Sequence, residues 1–228
     1  MLKKIAIFVE GLTEQEFVIQ LIKELAGSRG VEFEIHNQFR GILSFTELRS
    51  GTNPSIHVLV ANCCTDGQVK TQIVDRYEYL KSLNYTLIIG LRDVHPFTHK
   101  DIPDLTRMLT VGLPNDSVPI QMHLAVMEIE AWFLEELTHY SKIDMGLNIK
   151  EVITGGFDPS LERAHQIQCP ADTLHSIYSI VGLSYKKKKN QIERTVSALS
   201  YEHLYLETRH LSPSLDTFLH GLEVGLFA

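Results

Sequence analysis

Acidic residues recur in this chain where apolar runs end. Glu10 directly follows Ile5-Ala6-Ile7-Phe8-Val9, Asp93 closes the stretch that begins at Tyr85, and Glu128 and Glu130 follow the run that ends at Met127. A short run rich in β-branched and aromatic residues reads as a buried strand. In an open α/β sheet the carboxyl ends of parallel strands share one edge, and sites are built there. Acids far apart in sequence can therefore converge. Converging carboxylates repel one another unless a cation sits among them. Hard oxygen ligands of this kind suit Mg²⁺ or Mn²⁺, and such a metal can generate a hydroxide nucleophile and neutralise a phosphodiester. Any one of these acids alone reads as a polar residue where a strand meets solvent. Three at one edge give the chemical reading its weight.

Cations accompany the acids. Arg92 precedes Asp93, and Lys187 sits in the run Lys186-Lys187-Lys188-Lys189. Both suit contact with phosphate, while the other three lysines read as a solvated face. His95 lies two residues after Asp93, and imidazole ligates Mn²⁺ better than Mg²⁺. His99 is four residues further on, but Pro96 disfavours a helix between them. His36, His57, His123, His165, His175 and His220 have no pairing spacing and read as structural or exposed. Cys63, Cys64 and Cys169 lack zinc spacing and an even count, so they read as packed thiols in a reducing compartment. No Walker-type loop and no G-x-G-x-x-G occurs.

The elements that position these residues alternate. Residues 3–9 read as a strand, and Gly11 lets the chain turn. Thr13 with Glu16 is a capping-box spacing, so a helix is expected over 13–26. Residues 31–36 read as a half-exposed strand and 40–54, with Gly41, Gly51 and Pro54, as a connection. Strands are expected at 56–61, 85–91 and 118–127, and helices at 68–83 and from 128 to about 140. Strands separated by helices imply parallel βαβ units. Beyond 141 the strand signals fade, and short helices are expected at 171–182, 188–199 and 213–223. The expected architecture is α/β: a Rossmann-like, largely parallel sheet flanked by helices over residues 1–140, with a helical C-terminal appendage at 141–228 packed on it.

At 228 residues, with 44% hydrophobic and 21% charged residues, the composition is that of an ordinary globular protein. A net charge of −7 argues against a generic polyanion binder without excluding a local basic groove. The N-terminal apolar run is too short for a membrane span and is no signal peptide, so a cytoplasmic protein without membrane association is expected.

The stretch Val9-Glu10-Gly11-Leu12-Thr13-Glu14 resembles the opening motif of Toprim domains, and more narrowly that of small Toprim-like proteins related to OLD-type nucleases. Leu91-Arg92-Asp93-Val94-His95 is similar to the later Asp-x-Asp segment, with His95 in the place of the second aspartate. Met127-Glu128-Ile129-Glu130-Ala131-Trp132-Phe133-Leu134 resembles the group's acidic-then-Trp helix start. Cys169-Pro170, Tyr185-x-Lys187 and Leu211-Ser212-Pro213-Ser214-Leu215 resemble its C-terminal pattern, so the likeness spans nearly the whole chain. It implies a Toprim-like fold and a metal-dependent nuclease or related phosphodiester-cleaving site. Glu10 would be general base or ligand, and Asp93 a ligand. His95 with Glu128 or Glu130 would complete the shell, and Lys187 or Arg92 would steady the phosphate. The departure at His95 supports the alternative of a catalytically silent binding or regulatory subunit. Such a subunit would act in a mobile-element or anti-phage system beside a separate ATPase.

Overall fold

The computed structural model describes residues 2–227. Its first half alternates between sheet and helix: β1 (Lys3–Val9), α1 (Leu12–Ala26), β2 (Gly30–Phe39), β3 (Ile42–Ser50), β4 (Pro54–Asn62), α2 (Asp66–Ser82), β5 (Leu87–Asp93), α3 (Ile102–Thr110) and β6 (Ile120–Ala125). The strands form one sheet in the order β3-β2-β4-β1-β5-β6. β1 runs parallel to β4 and β5, and β2 runs parallel to β4. Ile88 N–H donates to Pro119 O and Val94 N–H to Ala125 O, a parallel advance of β5 and β6. The largely parallel α/β class expected from the alternation is the fold of this chain.

The stretch expected as a connection, 40–54, is instead β3, an antiparallel edge strand paired with β2. Phe39 pairs with Ile42 across a two-residue loop in which Arg40 and Gly41 are both left-handed, at φ 50° and 82°. That is the geometry of a tight hairpin turn. An Arg-Gly pair lacks the Asn or Asp that usually announces it. The capping box is not formed either. α1 starts at Leu12 with Gly11 as its cap and no side-chain cap bond. Glu16 instead pairs with Arg49 of β3 at 3.1 Å.

The chain forms two compact units. One takes residues up to Arg92, Pro103–Leu124 and those from His220 on; the other takes Asp93–Ile102 and Ala125–Leu219. In the first, side chains alternate across the sheet as the strand period requires. Ala6 and Phe8 pack with Val69, Ile73, Tyr77 and Leu80 of α2. Ile5 and Leu87 face the end of the last helix at Gly225.

The second unit is helical: α4 (Glu130–Glu135), α5 (His139–Ile143), α6 (Ile149–Thr154), α7 (Pro170–Ser179), α8 (Lys189–Ala198), α9 (Tyr201–Leu206) and the part of α10 (Pro213–Phe227) up to Leu219. Trp132 stacks on Phe218 with ring centroids 5.6 Å apart, and its indole N–H donates to Ser214 Oγ. The helix expected from 128 to about 140 breaks after Glu135. There Glu136, fully buried, accepts hydrogen bonds from Thr138 N–H and Oγ1–H and from Ser200 N–H. Its carboxyl lies 3.6 Å from the buried His139 imidazole. Among the described residues no helix is long and apolar enough to cross a membrane.

Burial pushes the Glu136 carboxyl up, but hydrogen bonding and the His139 imidazole outweigh it and hold the group at about 2, against an ordinary 4.5. A depressed folded value gives stability that is full above the unfolded value and is lost as pH falls through the folded one. Acid unfolding should therefore steepen between about pH 5 and pH 2, and Glu136→Gln should flatten that slope while costing roughly 3 kcal/mol near neutrality. Chemical denaturation across this pH range is the check, and parallel profiles for the two proteins would contradict it.

Candidate metal centre

The site is built where β6 gives way to α4. Val94 N–H donates to Ala125 O and His95 N–H to Met127 O, which carries the pairing past the strand ends. Met127 then adopts a left-handed backbone, φ 63°. A non-glycine residue held there is strained, and such strain collects at functional positions. The turn brings Ile129 N–H onto Asp93 Oδ1 at 3.0 Å. Asp93 thereby accepts one of the donors that the start of α4 leaves open.

One oxygen from each of Asp93, Glu128 and Glu130 lies within 4.8 Å of the other two, and all three residues are buried. Their partners come from distant segments. Glu128 Oε2 accepts from Ala171 N–H, in the first turn of α7, at 2.8 Å. Glu130 Oε1 accepts from the Tyr185 hydroxyl at 2.8 Å. Lys187 Nζ lies 3.2 Å from Glu128 Oε1 and 3.0 Å from Glu130 Oε2. The second contact is an ion pair, and Glu130 Oε2 has no further hydrogen-bond partner among the described residues. Lys187 itself sits in a left-handed backbone, φ 51°.

Burial pushes the Glu130 carboxyl up; the Lys187 ammonium opposes this, the neighbouring Glu128 adds to it, and the Tyr185 hydroxyl opposes it. A divalent cation placed among these oxygens would relieve their repulsion. The donor set, three carboxylates, fits a hard divalent ion. These residues can therefore hold a metal ion.

Beside the cluster is a cleft of about 340 Å³ lined by His95, Glu128, Cys169, His175, Lys186 and Lys187, among others. His175 Nδ1 accepts from Tyr185 N–H at 3.2 Å, so a neutral His175 carries its proton on Nε2. Burial, with Asp172 and Glu128 adding, pushes the Cys169 thiol up and away from the thiolate a nucleophile requires. Burial likewise pushes Cys63 up to about 12, in keeping with a packed thiol.

The expected site residues are thus distributed. Asp93, Glu128 and Glu130 converge, and Lys187 joins them as an ion-pair partner of the acids. His95 is exposed and lines the cleft. Glu10, half-buried directly after β1, and Arg92, buried in β5, belong to the first unit. Tyr185, Ala171 N–H and His175 were not singled out as site residues by spacing. Their signals were the Tyr-x-Lys pair and the Cys-Pro that opens α7.

No protein family matches the chain, and no curated protein matches it. Among solved structures it is similar to one of a protein proposed to be a cell surface hydrolase, from Lactobacillus plantarum WCFS1. The identity is 11% and the TM-score 0.31, over 63% of this chain and 59% of that one. The chain thus spans about three fifths of that structure's length. So distant a likeness carries no inference about activity.

Tyr185→Phe removes the only hydrogen bond drawn to Glu130 Oε1 among the described residues. Leaving a buried carboxylate oxygen without its donor should cost about 1–3 kcal/mol, read as a lower urea midpoint with unchanged slope. An unchanged midpoint would show that the bond contributes nothing.

Proposed function

We propose that this chain is a divalent-metal-dependent enzyme that cleaves phosphodiester bonds, a nuclease of Toprim type using Mg²⁺ or Mn²⁺. The observation that carries the reading is the buried convergence of Asp93, Glu128 and Glu130, with the Lys187 ammonium drawn against two of them. A divalent ion there supplies Lewis-acid stabilisation of charge on a phosphoryl oxygen. The chain's own residues do the rest. Asp93 holds the start of α4 through Ile129 N–H, which fixes Glu130 relative to it. Ala171 N–H and the Tyr185 hydroxyl orient the two glutamates. His95 and Lys186 line the cleft as groups able to bind an anionic backbone.

The Toprim resemblance makes nucleic acid the substrate and adds Glu10 as general base, with Arg92 and Lys187 as phosphate contacts. The silent-subunit reading, beside a separate ATPase, also keeps support from one observation: the Lys187 ammonium is already paired with two of the carboxylates.

Calorimetric titration of Mn²⁺ and Mg²⁺ into wild type and Asp93→Asn tests the centre. Asparagine can still accept from Ile129 N–H while the ligand charge is lost, so binding should weaken by tenfold or more, on the order of what metal-site changes cost. Failure of either ion to bind wild type contradicts the metal reading. Cleavage of DNA and RNA substrates in Mn²⁺ then separates the two functions. Glu10→Ala should abolish cleavage without altering the unfolding profile, and metal binding with no cleavage of any nucleic acid favours the silent subunit.

A further inference from the structure

We propose that Lys187 is the resident cation of the carboxylate cluster, and that its ammonium and a divalent ion exclude one another there. Metal entry would displace the Lys187 side chain into the adjoining cleft. The proposal rests on the metal reading above and adds to it how the site is controlled.

The geometry points this way. Lys187 Nζ is the cation nearest two of the three carboxylates, 3.2 Å from Glu128 Oε1 and 3.0 Å from Glu130 Oε2. The oxygens it contacts belong to the set that would take the metal. Two cations packed against the same pair of oxygens repel strongly at low dielectric. Glu128 Oε2 is already engaged by Ala171 N–H and Glu130 Oε1 by Tyr185. The oxygens on the Lys187 side are thus the ones a metal must share with, or take from, the ammonium.

Lys187 can leave. Its side chain is 38% exposed, and it lines the cleft of about 340 Å³ together with His95, His175 and Lys186. The backbone around it is held. Tyr185 N–H donates to His175 Nδ1, and Lys186 N–H donates to Gln191 Oε1 at 2.6 Å. Gln191 is itself fixed by its amide on Ser184 Oγ. Exchange is therefore a rotation of one flexible side chain, with no loop movement required. The ammonium that the metal expels arrives where an anion would dock, so loading the metal also charges the cleft. An ordered sequence follows, metal first and anion second, with the two bindings coupled through one lysine.

Two readouts test this without any activity assay. The first uses the wild-type chain. Its amines are acetylated with an N-hydroxysuccinimide ester, with and without saturating Mn²⁺, and each lysine's rate is read by peptide mass spectrometry. Lys186, Lys188 and Lys189 are internal controls. Lys187 labelling should rise about tenfold with Mn²⁺ as its ion pairs open, in line with the decade that a kilocalorie-scale contact is worth. Unchanged or slower labelling overturns the proposal. The second is Mn²⁺ calorimetry on Lys187→Met, which keeps the length and removes the charge. Removing a competing cation leaves buried carboxylates unpaired, so the variant should bind about tenfold or more tightly than wild type. Equal or weaker binding overturns the proposal while the metal reading stands. Binding by Lys187→Met alone supports exclusion in its strongest form, and binding by neither protein defeats the metal reading itself. If Lys187→Met does not fold, the wild-type labelling decides.

Discussion

Three carboxylates taken out of water within 4.8 Å of one another set the terms for the second compact unit. At an effective dielectric near 20, two like charges about 4 Å apart repel by about 4 kcal/mol, so such a group persists only where cations and donors converge on it. The chain supplies them from far away in sequence. Ala171 N–H comes from the first turn of α7, and the Tyr185 hydroxyl and Lys187 ammonium come from the segment before α8. Each contact crosses more than 40 residues, so the helices that carry them are held together partly by the acids they serve. The left-handed backbones at Met127 and Lys187 show the same demand at short range. Each lies next to, or at, a member of the Glu128–Lys187 pair, where the chain accepts strain to bring charge to charge.

A single arrangement thus ties the stability of this unit to a cluster able to hold a metal ion. The Lys187 ammonium offsets part of the negative charge of Glu128 and Glu130. The cluster's donors are hard oxygens, its neighbour is a solvent-reachable cleft, and that cleft is lined by His95 and Lys186. Phosphodiester chemistry is the use that we propose for this combination.

Much of this was legible in the sequence, for definite physical reasons. Apolar runs separated by helical patterns specify a parallel sheet, because the crossovers leave few other topologies. Strand-end position marked Asp93 and Glu128 as partners although 35 residues separate them. What was not legible depended on particular geometry. The β2–β3 hairpin turns through Arg40-Gly41, a pair with only one residue suited to a left-handed backbone. Thr13 and Glu16 had capping-box spacing, but Glu16 was taken by Arg49 of the edge strand β3. The helix after Glu128 was read through Glu136, whose buried hydrogen bonds end it. Lys187 was read as a phosphate contact. The structure shows it against Glu128 and Glu130, a pairing that no local pattern encodes because its members lie 59 and 57 residues apart.

The most direct test is the position of a bound ion. Crystals grown or soaked with Mn²⁺ should give an anomalous difference peak among the carboxylates of Asp93, Glu128 and Glu130, with Lys187 Nζ moved out of contact with both glutamates. A peak only at other sites, or none at saturating Mn²⁺ with the Lys187 ion pairs intact, would contradict the assignment of this cluster as a metal centre.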